Sequence, residues 1–296
     1  MRQQRRTLLI VGFGRVGAAI AAQARGWRLA GAVCRGPRSA ARARRQGLRV
    51  FGGDGWPRVD LALLTVPDGV IAETAAQLAA VPPGTLRAAA HVSGATGLEV
   101  LAPLRRAGIA VGSLHPFCSI AGAGTPLAGA SCAIEGDARA RSLLRALARS
   151  LGLRPLRRSP RDRPLYHLAA SLVASGTGVL AGQAEQLLRR SGVGEADAVR
   201  ALSAILRSVA DNLAAGGARG LLTGPIVRGD AAVVRRQFAL LSRDARTREL
   251  YRALGLLALE RAGEEGRGDQ RGRREIAKLL QAAGPSASPR HGGPGR

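Results

Sequence analysis

Lysine is almost absent from this chain. Lys278 is the only one, so arginine supplies nearly all the positive charge behind a formal net charge of +25 over 296 residues. Aromatic residues amount to only 3%. The core must therefore be built from Leu, Val, Ile and Ala, and few rings are left on which nucleic-acid bases could stack. The arginines are spread over the whole length rather than gathered in one arm or helix, and no zinc-ligand spacing occurs. Specific nucleic-acid binding is therefore not expected, although so basic a chain should hold polyanions weakly at low salt. The three cysteines, Cys34, Cys118 and Cys132, are odd in number and lack CxxC spacing, which excludes a disulfide framework and points to a reducing compartment. Segments of eighteen residues are interrupted by arginine or rich in glycine, so no membrane span is expected. The basic start Met1–Arg6 imitates a signal peptide, but Gly12, Gly14 and Arg15 break the apolar run that follows. The expectation is a soluble cytoplasmic protein without membrane or metal.

What is present begins at Leu8. The run Leu8–Val11 stops at Gly12, and Gly14 and Gly17 follow in the spacing G-x-G-x-x-G before an alanine-rich helical run. Strand, tight turn and helix in that order give the glycine pattern its meaning as a dinucleotide-binding turn. Gly12 permits the turn, Gly14 lets backbone approach a pyrophosphate, and Gly17 lets the helix sit close on the strand. Phe13, Arg15 and Val16 complete the loop whose amides would face the phosphates.

Strands and helices then alternate. Strands are expected at Trp27–Val33, Arg49–Phe51, Leu61–Val66, Leu86–Val92, Ile109–Leu114, Ala130–Ile134 and Arg154–Leu156. Helices are expected at Ser39–Gln46, Val70–Ala80, Leu98–Arg106 and Ala138–Ser150, with a loop at Gly52–Pro57. Leu61–Val66 is continuously apolar, as in a strand buried on both faces. The charged stretch Arg157–Pro164 marks a domain boundary. Beyond it, long helical segments are expected at Leu165–Arg190, Glu195–Ala215, Gly229–Ser242 and Ala245–Ala262. The fold class is α/β: an N-terminal doubly wound Rossmann sheet over residues 1–160, then an all-α C-terminal domain over 161–262. From Gly263 the composition predicts a largely disordered tail over 263–296, with a short helix near Glu275–Ala282.

Ligands of open α/β sheets bind at the carboxyl ends of the strands. That rule selects Gly12–Gly17, Arg35, Val66–Pro67, Ser93–Gly94 and His115. An acidic residue ending the second strand would bind the ribose of NAD. Arg35 stands there instead, with Arg38 and Arg42 nearby, and guanidinium groups suit a 2′-phosphate. The cofactor expected is NADP, as NADPH. His91, inside an apolar strand, reads as a core histidine. His115 at a strand end and His167 opening the first long helix are the candidate catalytic residues, as proton donor or polarising group. Ser171 and Ser175 share the His167 face at helical spacing, a face that fits either a cleft wall or close helix packing. Ser93, Ser171, Thr223 and Arg228 are the candidate substrate-binding residues, Arg228 suited to a carboxylate. Asp230 reads as a helix cap.

Gly12–Gly17, Val66-Pro67-Asp68, His91-Val92-Ser93-Gly94, Ser113-Leu114-His115-Pro116, Tyr166-His167 and Thr223–Asp230 occur in this order. Together they resemble the bacterial Rossmann-like proteins that carry a C-terminal domain of unknown function 2520. These are relatives of the 6-phosphogluconate dehydrogenase and pyrroline-5-carboxylate reductase superfamily. The resemblance covers about Leu8 to Ala262. It implies an NADP-dependent oxidoreductase acting on a small molecule, with a helical C-terminal domain and homodimerisation through it. Hydride would pass to a small carbonyl or imine compound in a cleft between the domains. Two positions depart from the family pattern: Gly176 stands where asparagine is usual and Cys118 where glutamine is common. A non-catalytic NADP-binding or sensing protein is the alternative these departures raise.

Overall fold

Burial on alternate sides explains the sheet. In the strand Leu8–Val11, Leu8 and Ile10 belong to one apolar cluster, while Leu9 and Val11 belong to another. Leu61 and Leu63 against Ala62 and Leu64 repeat the division, as do Ala88 and Ala90 against Ala89. A period of two with both sets apolar is what a parallel sheet covered on both faces requires. Each fully buried Leu or Ile contributes about 1.5–3 kcal/mol.

The computed structural model describes residues 5–52 and 55–282. Gly53 and Asp54 of the expected loop, and the tail beyond 282, lie outside them. The elements are β1 (Thr7–Val11), α1 (Arg15–Gln23), β2 (Arg28–Val33), α2 (Pro37–Arg45), β3 (Val50–Phe51), β4 (Leu61–Leu64), α3 (Ile71–Ala79), β5 (Ala88–His91), α4 (Ala102–Arg106), β6 (Ala110–Phe117), β7 (Ser131–Gly136), α5 (Ala138–Ser150) and β8 (Arg154–Pro155). The strand order is β3-β2-β1-β4-β5-β6-β7-β8, parallel through β6. β7 turns antiparallel to β6 and β8 runs parallel to β7. Helices α1 and α5 pack on one face through Ala18, Ala19, Ile20, Leu144 and Leu147. Helices α3 and α4 cover the other through Ile71, Ala75, Leu78 and Leu104. This is the doubly wound sheet, extended at one edge by an antiparallel pair.

The helical region follows as α6 (Arg163–Arg190), α7 (Glu195–Gly216), α8 (Pro225–Arg228), α9 (Ala231–Leu240), α10 (Ala245–Glu264) and α11 (Gln270–Ala282). The chain divides into two compact units, Met1–Thr177 and Gly178–Arg296, so α6 begins in the first and ends in the second.

Four expectations are corrected. Leu98–Leu101 is a 3-10 turn rather than the start of an α-helix. Between the expected helices Glu195–Ala215 and Gly229–Ser242 lies a further one-turn helix, α8. Helix α6 is long and apolar enough to cross a membrane by length and composition, because the uncharged stretch contains glycines but no arginine. The segment after Gly263 is ordered over α11, where Ile276 and Leu280 are fully buried with Val234 and Phe238 of α9. The apolar stripe Ile276, Leu279, Leu280 has helical spacing, but the Arg- and Glu-rich average around it concealed the signal.

Candidate functional site

Each of the three glycines can be assigned a physical reason. Gly12 has φ +84°, which L side chains rarely adopt. A Cβ on Gly17 would lie 2.5 Å from Thr65 Oγ1 and 2.7 Å from the Gly12 carbonyl, so α1 could not sit this close to β1 with any side chain there. A Cβ on Gly14 would meet nothing within 4 Å. Gly14 instead borders a cleft of about 300 Å³ at the carboxyl ends of β1, β2 and β4. It is also the N-cap of α1, whose first turn has neither a side-chain cap nor an acidic residue. Uncapped amides facing an open cleft are suited to an anion.

Gly12, Phe13, Gly14, Arg35, Val66 and Pro67 line this cleft, with Gly36, Ser39, Val70, Thr74 and Gln77 among the further residues. Phe13 contributes backbone, since its ring is 1% exposed in the core. Thr74 and Gln77, with Val70, are spaced so that one face of α3 forms the wall. Sequence reading missed them because a polar position on an amphipathic helix looks like ordinary solvent exposure. Arg35 reaches across to Glu73 of α3 at 3.6 Å, both side chains being largely exposed. Arg15, Val16, Gly17, Arg38, Ser93 and Gly94 are not among the lining residues. A larger depression of about 640 Å³ lies at the opposite, amino ends of the strands, among Arg5, Arg6, Arg28, Arg58 and Arg87. Its one lining glycine, Gly84, sits in an isolated turn and not in a G-x-G-x-x-G turn that leads into a helix, so the carboxyl-end cleft is the better nucleotide site despite its smaller size.

A second cluster forms past β5 and β6. Strand β6 does not stop at Leu114. It continues to Phe117 because β7 takes over its pairing, and His115 lies beyond Ser113, the last residue paired to β5. His115 Nδ1 lies 3.0 Å from the Tyr166 hydroxyl. The His115 and His167 rings meet edge-on with centroids 5.9 Å apart. Gly94 is what makes room: a Cβ there would come within 2.7 Å of His115 Nε2 and 2.6 Å of His167 Cδ2. Burial, with His167 and Arg163 nearby, pushes the His115 pKa down to about 4. Burial raises the Tyr166 hydroxyl to about 12. Both groups are therefore neutral at pH 7.

His91 is fully buried. Its Nε2–H donates to the Gly97 carbonyl at 3.1 Å, and its Nδ1 accepts from the Ser93 amide at 3.2 Å. The Ser93 hydroxyl donates to Asp68 at 2.8 Å and accepts from the Thr96 amide at 3.0 Å. It is thus already committed to a turn.

Arg163 anchors the start of α6. The residue is 8% exposed. It pairs with Glu135 at 3.0 Å and donates to Ser113 Oγ at 3.1 Å and to the Ser93 carbonyl at 2.6 Å. Tyr166 and His167 follow it by about one helical turn, so this clamp holds both rings against His115. Ser171 lies one turn further on, half-buried.

Thr223 and Arg228 belong to the second unit and are exposed. Arg228 forms an ion pair with Asp230 at 2.8 Å. Asp230 does stand at the N-cap of α9, but its carboxylate caps no amide, because Arg228 takes it. The Arg228 carbonyl accepts from the Asp269 amide at 3.0 Å, so the entry to α11 holds α8 in place. Among the described residues no cluster of His, Cys, Asp and Glu could hold a metal ion.

A Rossmann-like family model matches residues 1–116, and the model of the domain of unknown function 2520 (DUF2520) matches residues 130–258. The chain joins a Rossmann-like domain to a DUF2520 domain. The DUF2520 match thus takes in Glu135, Arg163, Tyr166 and His167 as well as Thr223 and Arg228. Among solved structures, a Bacteroides fragilis protein provisionally described as an NADP oxidoreductase superposes with TM-score 0.71, 18% identity, and coverage of 86% of this chain and 97% of its own. A Thermotoga maritima protein gives 0.63 and 23% identity over 88% of this chain and all of its own. Plasmodium falciparum pyrroline carboxylate reductase, solved with NADP bound, gives 0.60 and 10% identity over 93% and 100%. At these identities the likeness establishes a shared fold. A search of curated proteins finds no match.

Proposed function

We propose that the protein is a cytoplasmic NADP-dependent oxidoreductase that reduces a small carbonyl or imine compound. The observation that carries this is the open Gly14 cradle beside uncapped amides of α1, in a cleft whose β2 end offers Arg35 rather than an acid. The structural likeness to a pyrroline carboxylate reductase with NADP bound supports the same class of chemistry. The amides of residues 15–17 would hold the pyrophosphate, and Arg35 and Ser39 the 2′-phosphate. Thr74 and Gln77 would border the adenosine half. Bound NADPH would supply the electron pair as hydride. His115 and His167 would contact the reacting group, and Arg228 would bind a substrate carboxylate once released from Asp230.

The helical half supports homodimerisation. Leu165, Leu172 and Val173 of α6 are each more than 60% exposed, and Ile205 of α7 is 60% exposed. Large apolar side chains so exposed suit an interface. Sedimentation of the full chain should show a dimer that Leu172→Glu weakens.

Fluorescence titration with NADPH and NADH tests the cofactor, and NADPH oxidation against 2-oxo acids and cyclic imines tests the reaction. Absence of binding to either nucleotide would overturn the assignment. Binding of NADPH without turnover of any substrate would favour a sensor, the reading that Gly176 and Cys118 support.

A further inference from the structure

Tyr166 touches no part of the nucleotide cleft, yet its hydroxyl is directed at the one histidine nitrogen that faces away from Gly94. A phenol is a much stronger acid than a neutral imidazole N–H, and its oxygen is a poor acceptor because its lone pair is delocalised into the ring. In the 3.0 Å contact the favoured polarity is therefore O–H donating to Nδ1. That leaves the His115 proton on Nε2. Nε2 lies beside Gly94 and, among the described residues, has no hydrogen-bond partner.

We infer that Tyr166 is a positioning residue that holds His115 as the neutral Nε2–H tautomer and stands behind it as a proton reserve. The chemistry this serves rests on the oxidoreductase reading; the tautomer does not. The subsite at Nε2 then takes a hydrogen-bond acceptor, a carbonyl oxygen or an imine nitrogen, rather than an ammonium group.

The groups facing His115 are His167, Tyr166 and Arg163 from α6, Asp68 after β4, His91 on β5 and Phe117 on its own strand. The only carboxylate in this set is Asp68, and it accepts from Ser93. Burial disfavours an imidazolium at His115, and the two histidine neighbours and Arg163 oppose it further. An isolated His115 therefore has no spare proton at pH 7 and would have to become an imidazolate on giving one up.

The reserve resolves this. As the substrate carbon gains an electron pair, the C=O or C=N π pair moves to the heteroatom. The His115 Nε2–H bond breaks and the proton joins that heteroatom, while the Tyr166 O–H bond breaks and its proton joins Nδ1. After product leaves, Nε2 takes a proton from water as the Nδ1 proton returns to the tyrosinate oxygen, which restores the phenol and the original tautomer. An alkoxide is a stronger base than a tyrosinate, even one with its pKa near 12.

The test is long-range 1H–15N correlation NMR on the full-length protein labelled in histidine, between pH 6 and 8, in wild type and Tyr166→Phe. The expected wild type carries its His115 proton on Nε2. In Tyr166→Phe, Nδ1 should move downfield toward an unbonded pyridine-type nitrogen while Nε2 stays protonated. A proton on Nδ1 in the wild type overturns the inference, and that measurement needs no variant to fold. An unmoved Nδ1 in folded Tyr166→Phe overturns it equally. For the reserve role, Tyr166→Phe should lower kcat at least tenfold for any substrate the wild type reduces, with NADPH affinity within twofold. Unchanged kcat, or a wild type that binds NADPH but reduces nothing, overturns that half. Failure of the wild type to bind NADPH would instead remove the proposed function and leave the tautomer result standing.

Discussion

Replacing Arg163 by methionine should destabilise the first compact unit more than any ordinary surface arginine would. The guanidinium is 8% exposed and its partner Glu135 has 21% side-chain exposure. Removing one member of a buried pair strands the other charge, at a cost of about 3–5 kcal/mol. Glu135 retains some solvent, which argues for the lower end. The loss of the bonds to Ser113 Oγ and the Ser93 carbonyl adds about 1 kcal/mol each. A total of about 5 kcal/mol corresponds to a drop in Tm of about 10–20 °C at roughly 2–4 °C per kcal/mol for a domain of this size. The pair itself is imperfect, however. Arg163 Nε and Glu135 Oε1 are both buried without a hydrogen-bond partner. Removing both charges should therefore be milder than removing one. Arg163→Met with Glu135→Leu should recover about 2 kcal/mol relative to Arg163→Met alone. The assay is urea unfolding of the wild type, Arg163→Met, Glu135→Leu and the double variant, followed by far-UV circular dichroism. A loss below about 1 kcal/mol in Arg163→Met, or a double variant no better than that single one, would refute the claim that a stranded charge sets the cost.

Four further outcomes are expected. Gly14→Ala should leave stability within about 0.5 kcal/mol, because its Cβ enters open space, yet weaken NADPH binding. Gly17→Val should lose at least about 1–3 kcal/mol, because its Cβ would press on Thr65 and the Gly12 carbonyl; denaturation and nucleotide titration separate the two. Arg35→Ala should weaken NADPH by about 10- to 100-fold, the worth of one or two charge-assisted bonds, and leave NADH within twofold; equal losses for both would remove Arg35 from 2′-phosphate recognition. Stability should also fall as pH drops from 6.5 towards 4. The His91 pKa is lowered to about 4 in the folded protein, chiefly by burial. The unfolded state therefore binds the proton first, and the stabilisation is complete above pH 6.5 and lost on the way to 4. For a fully buried ring the span is worth about 3 kcal/mol, and His91→Gln should reduce the pH dependence in urea titrations run across that window without abolishing it, because His115 is lowered to about 4 as well.

Much of the first unit was legible because its signals are local. Leu8–Val11 and Leu61–Leu64 announce strands buried on both faces, and Gly12, Gly14 and Gly17 fix the turn between β1 and α1 within six residues. The cluster around His115 was only half legible. A strand-end histidine can be noticed one at a time, but Tyr166 becomes informative only when the fold brings it across 51 residues to Nδ1. Arg163 was concealed differently. It sits in Arg157–Pro164, whose composition says linker, and nothing local distinguishes the one arginine that finds Glu135 and the Ser93 carbonyl from neighbours that stay in water. Only the end of α11, near Glu275–Ala282, was legible, for the same reason: its buried Ile276 and Leu280 are a small minority in a polar stretch, yet they supply half of the buried residues in the second unit's apolar cluster.

The pH logic of the site changes with the environment of His115. Read as a residue type, a histidine near a nicotinamide is a group that titrates near neutrality and lends its own proton. Buried, and placed among His167, Arg163 and His91, it is neutral well below that range. Any inflection near pH 6.5 in turnover would then have to come from another group, whereas the His91 contribution to stability does titrate between 6.5 and 4. Activity and stability should part company in that interval. Turnover per folded molecule should hold steady while the folded fraction at a fixed, moderate urea concentration declines. If instead turnover per folded molecule halves near pH 6.5 and the loss vanishes in His115→Gln at equal folded fraction, His115 is an ordinary acid after all, and the proton must be assigned to its own ring.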